Sequence, residues 1–241
     1  DRQLWMDTFK WAAEVADQTV TNKSGTSPRY CCDGILVFSD AELEDQLEPL
    51  LAAGGSRFIR VGGRLGIVPA VARNSVMTIS DFTDDSAAEF SRHRPDDELY
   101  TECVATYIAP DRNYESAEAP VYVAPGAQDE DGGPPKRLDL DLQFVTDHRQ
   151  AQRLEKIAVM RSRMQRTIRH GAFPDTVRLV AGSVCTSAYP QPYAGWNGKY
   201  EVESIGLSAG LNDDDSVTMR PQISLRETSD AIYSWDAEVE E

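Results

Sequence analysis

A cluster of basic side chains offers the clearest candidate chemistry in this sequence. Seven of the 24 basic residues fall between Arg149 and Arg169. On a helix that turns 100° per residue, Arg149, Lys156 and Arg163 form one stripe, which fits docking of an acidic protein neighbour. The alternative is a solvated face. Arg161 projects from the predicted apolar side, where a charge needs a partner or an interface. The candidate protein-interface residues are Arg149, Arg153, Lys156, Arg161, Arg163 and Arg166.

A second candidate is the aromatic, Pro- and Gly-rich stretch YPQPYAGWNG at residues 189–198. Exposed rings on a rigid loop suit stacking on carbohydrate or a hot spot for a protein partner. The alternative is a loop that packs its rings onto its own domain. The candidate recognition residues are Tyr189, Tyr193 and Trp196.

Catalytic and metal-binding motifs find no support. The acidic runs at residues 129–131 and 213–215 lack the alternating ligand spacing of a calcium loop, so solvated turns are the simpler interpretation. The three histidines have no companions of the kinds that build zinc sites. Neither a nucleophile elbow nor a phosphate-binding loop is present. We therefore expect no catalytic, cofactor-binding or metal-binding residues, no cofactor, and no enzymatic activity.

The cysteines indicate little chemistry. Cys31 and Cys32 are neighbours in a predicted strand, so their side chains should point to opposite faces and cannot easily share a metal. Cys103 and Cys185 fall in later predicted strands, where a disulfide between them is an alternative that nothing in the sequence requires. Small buried thiols are the expected state of all four.

Two periodicities meet near residue 146 and organise the chain. Residues 138–144 alternate apolar and polar side chains, which predicts a strand with one buried face. From residue 147 apolar side chains recur every three or four residues, which predicts a long helix over 147–170. Predicted earlier elements are a helix at 1–20, a loop at 21–28, a strand at 30–38, a helix with a capping box at Ser39 and Glu42, and a hairpin of 57–61 and 65–68 around Gly62-Gly63.

The remaining predicted elements are strands, which together favour an α+β fold. They lie at residues 76–79, 98–108, 119–123, 177–179, 183–187, 199–207 and 217–225. We predict a small helix-plus-βαββ unit at 1–75, followed by a β-rich, barrel- or sandwich-like domain at 76–241 that carries the one long helix 147–170.

Several segments resemble, in the same order, the central hub region of lambda-type phage tail-tip proteins, the J protein family. The segment LDLDLQFVTDHRQAQRLEKIAVMRSR at 138–163 is similar to that family's strand and helix. Residues 31–70 resemble its strand, helix and two short strands, and residues 98–118 its long strand with a Tyr-x-x-Pro-Asp corner. The stretch ISLRETSDAIYSWD at 223–236 resembles the strand that closes the region. No catalytic motif accompanies the resemblance.

The resemblance implies a structural role in a phage or phage-like particle. Three copies would form a baseplate hub ring at the distal end of the tail tube, support host attachment and let DNA pass during genome ejection. Implied partners are the distal tail protein, the tape-measure protein and other tail-tip proteins, with host receptors contacted through regions outside this chain. The protein would belong to the virion tail tip and be assembled in the host cytoplasm. Because the chain starts at Asp1 and family members are longer, we expect a segment of a longer protein.

Composition narrows the alternatives. The 241 residues carry a net charge of −16, which disfavours nonspecific binding to nucleic acid or anionic membranes. No apolar run approaches the ~18 residues needed to cross a bilayer. Two other functions stay open: a glycan- or receptor-binding module that uses the aromatic loop, and a hydrolase of cell-wall glycan.

Overall fold

The computed structural model describes residues 3–36, 43–83, 87–93, 95, 98–211 and 217–241. Its helices are α1 Met6–Ala16, α2 Leu43–Ala53, α3 Ala127–Asp131, α4 His148–Ser162 and α5 Ala237–Glu240. Its strands are β1 Thr19–Asn22, β2 Gly25–Pro28, β3 Arg57–Val61, β4 Arg64–Val68, β5 Met77–Ile79, β6 Glu89–Ser91, β7 Glu102–Ala109, β8 Glu115–Glu118, β9 Tyr122–Val123, β10 Arg137–Leu142, β11 Thr167–Gly171, β12 Val184–Ser187, β13 Gly198–Leu211 and β14 Val217–Glu227.

The first of two compact units combines Asp1–Val71, Asp96–Arg163 and Ala231–Glu241. Its main sheet has β7 at the centre, parallel to β10 and antiparallel to β8 and β9. Helix α4 packs on β7, and their contact buries Cys103 and Val159 completely. Two antiparallel hairpins, β1–β2 and β3–β4, complete the unit.

Helix α4 begins and ends at identifiable signals. Asp147 caps it by accepting a hydrogen bond from the Arg149 amide at 3.0 Å. The helix stops at Ser162, and Thr167–Gly171 instead forms β11, so the predicted helix over 147–170 is too long. The spacing of Met164 and Ile168 fits a helix, but alternation around Arg169 fits a strand equally well. Pairing with β14 and β6 decides between them.

The second unit combines Ala72–Pro95 and Met164–Asp230. Its six strands run in the order β5-β12-β13-β14-β11-β6. Ile168, Tyr200, Val202 and Leu225 are fully buried on one face of this sheet and form its core. The described strands form a sandwich-like arrangement without barrel closure, so the α+β class is confirmed and the sandwich alternative holds.

Most predicted strands are present, while local signals misled the prediction at three places besides the end of α4. The hairpin around Gly62-Gly63 and the strands corresponding to β5, β7, β10, β12, β13 and β14 are confirmed. The polar loop predicted at 21–28 is instead the β1–β2 hairpin. Residues 30–36 are not a strand, and 174–178 form a 3-10 turn where a strand was predicted. The predicted capping box at Ser39 and Glu42 lies outside the described residues, and the division at residues 75 and 76 stays a prediction.

The cysteines divide into two pairs. All four are free; Cys103 and Cys185 are buried, as expected. Cys31 and Cys32 are exposed, so the expectation of buried thiols is wrong for them, because the segment that carries them is not a sheet strand.

The turn after α2 packs closely against α4 at Gly55. Its backbone has φ of +55°, and a Cβ there would lie 2.9 Å from the Ala70 Cβ and 3.0 Å from Leu154 Cδ2. Gly62 has a similar φ of +56° but nothing within 4 Å. Gly62→Ala should therefore cost about 1 kcal/mol for the left-handed backbone alone. Gly55→Ala should cost about 1–3 kcal/mol more through overpacking. Chemical denaturation measures both, and equal losses would contradict the tight packing.

Candidate protein-interaction surfaces

Helix α4 is buried on nearly all sides, including the side that carries its polar residues. Gln150, Arg153, Glu155 and Lys156 are each less than 7% exposed. Buried polar groups of this kind are costly unless they are hydrogen-bonded. The contacts of each residue therefore show what the helix organises.

The first turns of α4 hold the N-terminal segments of the first unit. Gln150 Nε2 donates to the carbonyls of Cys31 at 2.8 Å and Ala53 at 2.7 Å. Its Oε1 accepts the Cys31 amide at 2.9 Å. Arg153 donates to Asn22 Oδ1 at 3.2 Å and to the Arg29 carbonyl at 3.0 Å. One amide and one guanidinium thus fix the β1–β2 hairpin and the segment that follows it.

Glu155 binds a backbone amide of β7 at a position between the two strands that pair with this edge of β7. Strand β7 pairs with β8 through residues 106–109 and with β9 through residues 102–103, so Ala105 lies in the gap between these partners. Its amide donates to Glu155 Oε1 at 2.6 Å. Burial raises the pKa of Glu155 to about 7, although the Ala105 and Tyr122 amides act in the opposite direction. The carboxyl group therefore titrates near neutral pH in the folded chain.

The C-terminal segment covers the middle of the predicted basic stripe. Lys156 donates to the Ser234 carbonyl at 2.7 Å and forms an ion pair with Glu240. Arg149 lies 3.2 Å from a Glu241 carboxylate oxygen. Acidic side chains of the chain itself thus neutralise this part of the stripe.

The other three basic residues are also partnered within their own units. Arg163 donates to Asp131 at 3.0 Å and to Glu130 at 2.8 Å, and its guanidinium lowers the pKa of Asp131. Arg161 lies over the Tyr233 ring, 5.6 Å from its centroid. In the second unit, Arg166 Nε donates to Glu227 at 2.9 Å.

None of the six candidate residues is fully exposed, and Arg153 and Lys156 are buried. The solvated-face alternative is therefore wrong for those two residues. Docking of another protein on the stripe stays a prediction. Asp129 is exposed beside the acidic pair that binds Arg163, while Asp213–Asp215 lie outside the described residues.

The aromatic loop packs most of its rings inside the second unit. Tyr189 is 2% exposed, and its hydroxyl shares a 2.6 Å hydrogen bond with His170 Nε2. Trp196 stacks on Phe90 with ring centroids 5.2 Å apart. The Asn197 side chain bonds both backbone groups of Tyr189, at 2.6 and 3.0 Å, and so closes the loop. Tyr193 is the most exposed of the three candidates, and the recognition role of the loop stays a prediction.

The sequence analysis missed two features. Gln150 and Glu155 carry no motif, and only their position among the apolar residues of α4 signals that they are buried. The outer half of β13 and β14 alternates apolar and polar residues, yet Leu207 and Met219 are 61% and 59% exposed. In the described part of the chain, no three metal-ligating side chains come close enough to hold an ion. No described helix is both long and apolar enough to span a membrane.

Glu155 makes the stability of the chain depend on pH. Its carboxyl group has a raised pKa when folded, so between about pH 4.5 and 7 the folded state holds more protons than the unfolded state. Stability therefore falls as pH rises through this window, by up to about 3 kcal/mol from this group. Glu155→Gln keeps an acceptor for Ala105 but cannot ionise. Its unfolding free energy relative to wild type should rise between pH 5 and pH 8.

The exposed Glu115→Gln on β8 is the matched control, which should follow the wild-type curve. Urea denaturation at each pH measures the difference. Parallel curves for wild type and Glu155→Gln would contradict the buried, titrating carboxyl group.

Trp196 should contribute to stability through its stacked neighbours. Trp196→Ala removes the contacts with Phe82 and Phe90 and should cost about 2–4 kcal/mol. Tyr193→Ala, at a ring that is 38% exposed, should cost less, about 1–2 kcal/mol. Thermal unfolding followed by circular dichroism gives both values. Equal, small losses would show that the loop rings do not pack as described.

Comparisons with known proteins agree with the fold. A chain titled "Virion of native gene transfer agent (GTA) particle" has a TM-score of 0.60 at 17% identity, over 96% of this chain and 48% of that chain. "The crystal structure of the tail protein from Neisseria meningitidis MC58" has a TM-score of 0.55 at 15% identity, over 94% of this chain and 68% of that chain. These likenesses show a shared fold, and this chain spans about half the length of the GTA chain.

Sequence comparison adds the family. No curated protein sequence is a significant match. Residues 42–199, more than half of the chain, match the sequence profile of the family described as "Putative phage tail protein". This range contains α4, the β3–β4 hairpin and most of the main sheet of the first unit. The chain therefore belongs to this phage tail protein family.

Proposed function

We propose that the chain is a structural part of a phage or phage-like tail tip, related to the hub region of the J family. Three copies form a ring at the distal end of the tail tube, support host attachment and allow DNA to leave. The match to the tail protein family over residues 42–199 carries this proposal. The fold shared with a GTA virion chain over 96% of this chain supports it.

The interior of the first unit suits the role of a rigid scaffold rather than catalysis. Three buried polar residues of its long helix form hydrogen bonds with other segments: Gln150 with two carbonyls, Arg153 with the β1–β2 hairpin and Glu155 with β7. Such networks favour one rigid arrangement. We therefore propose that the chain acts as a scaffold and carries out no reaction.

The negative net charge of the chain supports the proposal that DNA passes through the ring. The chain has 40 acidic and 24 basic residues. An acidic wall facing the lumen repels the phosphate backbone and so prevents DNA from sticking during ejection. Acidic residues confined to the outer wall, with a neutral or basic lumen, would contradict this part of the proposal.

Labelled particles test the location. A short peptide tag inserted between Gly62 and Gly63 lies in an open hairpin turn, where added atoms meet no neighbour within 4 Å. Gold-labelled antibody should mark the tail end farthest from the head, and averaged electron micrographs should show threefold symmetry there. Label along the whole tail, or particles without the chain, would contradict the proposal.

A further inference from the structure

His170 of β11 is a buried titratable residue in the core of the second unit. It is 2% exposed, and its ring centroid lies 5.7 Å from that of Tyr189 and 5.5 Å from that of Phe82. A histidine side chain changes its charge close to neutral pH, because its ordinary pKa is about 6.5. The surroundings of His170 therefore decide how the second unit responds to mild acid.

The two ring nitrogens of His170 have partners that suit the neutral form. Nδ1 lies 2.7 Å from the Gly171 carbonyl oxygen, which can only accept, so Nδ1 carries the hydrogen. In the neutral ring Nε2 is then an acceptor, and the Tyr189 hydroxyl donates to it at 2.6 Å. Both nitrogens and the hydroxyl hydrogen are satisfied together only while His170 is uncharged.

Protonation of His170 disturbs this arrangement in two ways. A hydrogen on Nε2 points at the Tyr189 oxygen, so the hydroxyl has to turn its own hydrogen away from its only acceptor among the described residues. The new positive charge is also buried, and burial of a charge without a partner is costly. Burial accordingly lowers the pKa of His170, although the Gly171 carbonyl acts in the opposite direction.

No charged side chain in the described part of this core is bonded to the imidazole. Directly opposite on β14 is the apolar Ile223, and the pairing of β6 with β11 stops before this position. Three titratable groups act on the Tyr189 hydroxyl: Cys185, Tyr200 and Asp81. Burial raises the pKa of the thiol and of the Tyr200 phenol to about 12, so both are neutral in mild acid, and the carboxylate belongs to an exposed residue. None of the three hydrogen-bonds to the ring nitrogens.

Tyr189 connects His170 to the aromatic loop at residues 189–198. The Asn197 side chain bonds both backbone groups of Tyr189, and the Tyr189 and Trp196 rings meet edge to face with centroids 6.1 Å apart. A change at His170 therefore acts on the residue that begins the loop and on the rings that pack around it.

We propose that His170 is an acid-sensitive latch of the second unit: when neutral it holds Tyr189 and the aromatic loop against the sheet, and when protonated it releases them. The inference goes beyond the proposed place of the chain in a tail and does not depend on it. It gives the buried rings of the loop a condition under which they become accessible.

The latch makes the second unit less stable in mild acid. The unfolded chain takes up this proton near pH 6.5, whereas burial lowers the pKa of His170 in the folded unit. The contribution of His170 to stability is therefore complete above about pH 6.5 and is lost as the pH falls towards the lower pKa of the folded state. Glu155 has the opposite effect, because its raised pKa makes the first unit more stable as the pH falls from about 7. Through these two groups, mild acid loosens the second unit and not the first.

Hydrogen exchange of the full 241-residue chain at pH 7.5 and pH 5.5 tests the latch. Correction for the intrinsic effect of pH on free amides gives the opening equilibrium of each amide. His170→Asn keeps an amide N–H near the position of Nδ1 but cannot become charged. Between the two pH values, opening of the protected amides of the β13–β14 ladder should increase about three- to tenfold more in wild type than in His170→Asn. The Tyr189 amide, which donates to Asn197, should show the same difference because the loop is released.

His93→Asn is the matched control, because His93 lies in the same unit but is exposed. Its opening equilibria should match those of wild type at both pH values. Ring-proton NMR of wild type gives a second measurement that needs no folded variant. By this measurement His170 should titrate at a lower pH than histidine in the unfolded chain.

Three results would overturn the inference. Equal pH dependence of the sheet amides in wild type and His170→Asn, or titration of the His170 ring at its ordinary pKa, would show that the folded unit does not resist the proton. A Tyr189 amide that keeps its protection while the sheet amides respond would show that the loop is not released. The tagged particles decide separately whether the chain lies at the tail tip.

Discussion

The first unit depends on hydrogen bonds made by polar side chains that are buried with helix α4, although Gln152 Oε1 and Arg153 Nε there have no hydrogen-bond partner among the described residues. An unpaired buried amide, carboxylate or guanidinium costs several kcal/mol, more than most single contacts contribute. Gln150, Arg153, Glu155 and Lys156 bind five separate segments: the segment at residue 31, the end of α2 at residue 53, the β1–β2 hairpin, β7, and the C-terminal segment. Segments far apart in sequence are thereby fixed around one helix.

These contacts change the interpretation of the basic stripe Arg149, Lys156 and Arg163 on α4. A stripe of cations on a solvated helix would await an acidic partner, whereas here Glu240, Glu241 and Asp131 from the same chain already lie against it. Such pairs hold the unit together.

Local sequence signals predicted the secondary-structure elements better than they predicted the contacts between residues that are far apart in the chain. The apolar spacing that begins near residue 147 placed the start of α4, and Gly62-Gly63 placed the β3–β4 turn. The end of α4 could not be predicted, because Met164 and Ile168 fit both periods and strand pairing with distant residues decides between them. Likewise Arg163 was visible as a candidate, but its partners lie 32 and 33 residues away, and the inward packing of Trp196 depends on Phe82 and Phe90.

Hydrogen exchange of Arg153→Met is the most direct test of the central role of α4. The substitution keeps the apolar stem but removes the bonds to Asn22 and to the Pro28 and Arg29 carbonyls. The account predicts faster exchange of the β1–β2 amides at residues 19–22 and 25–27, while the β13–β14 amides keep wild-type protection. Unchanged protection of β1–β2, or equal loss throughout the chain, would contradict the claim that the buried polar residues of α4 hold specific segments in place.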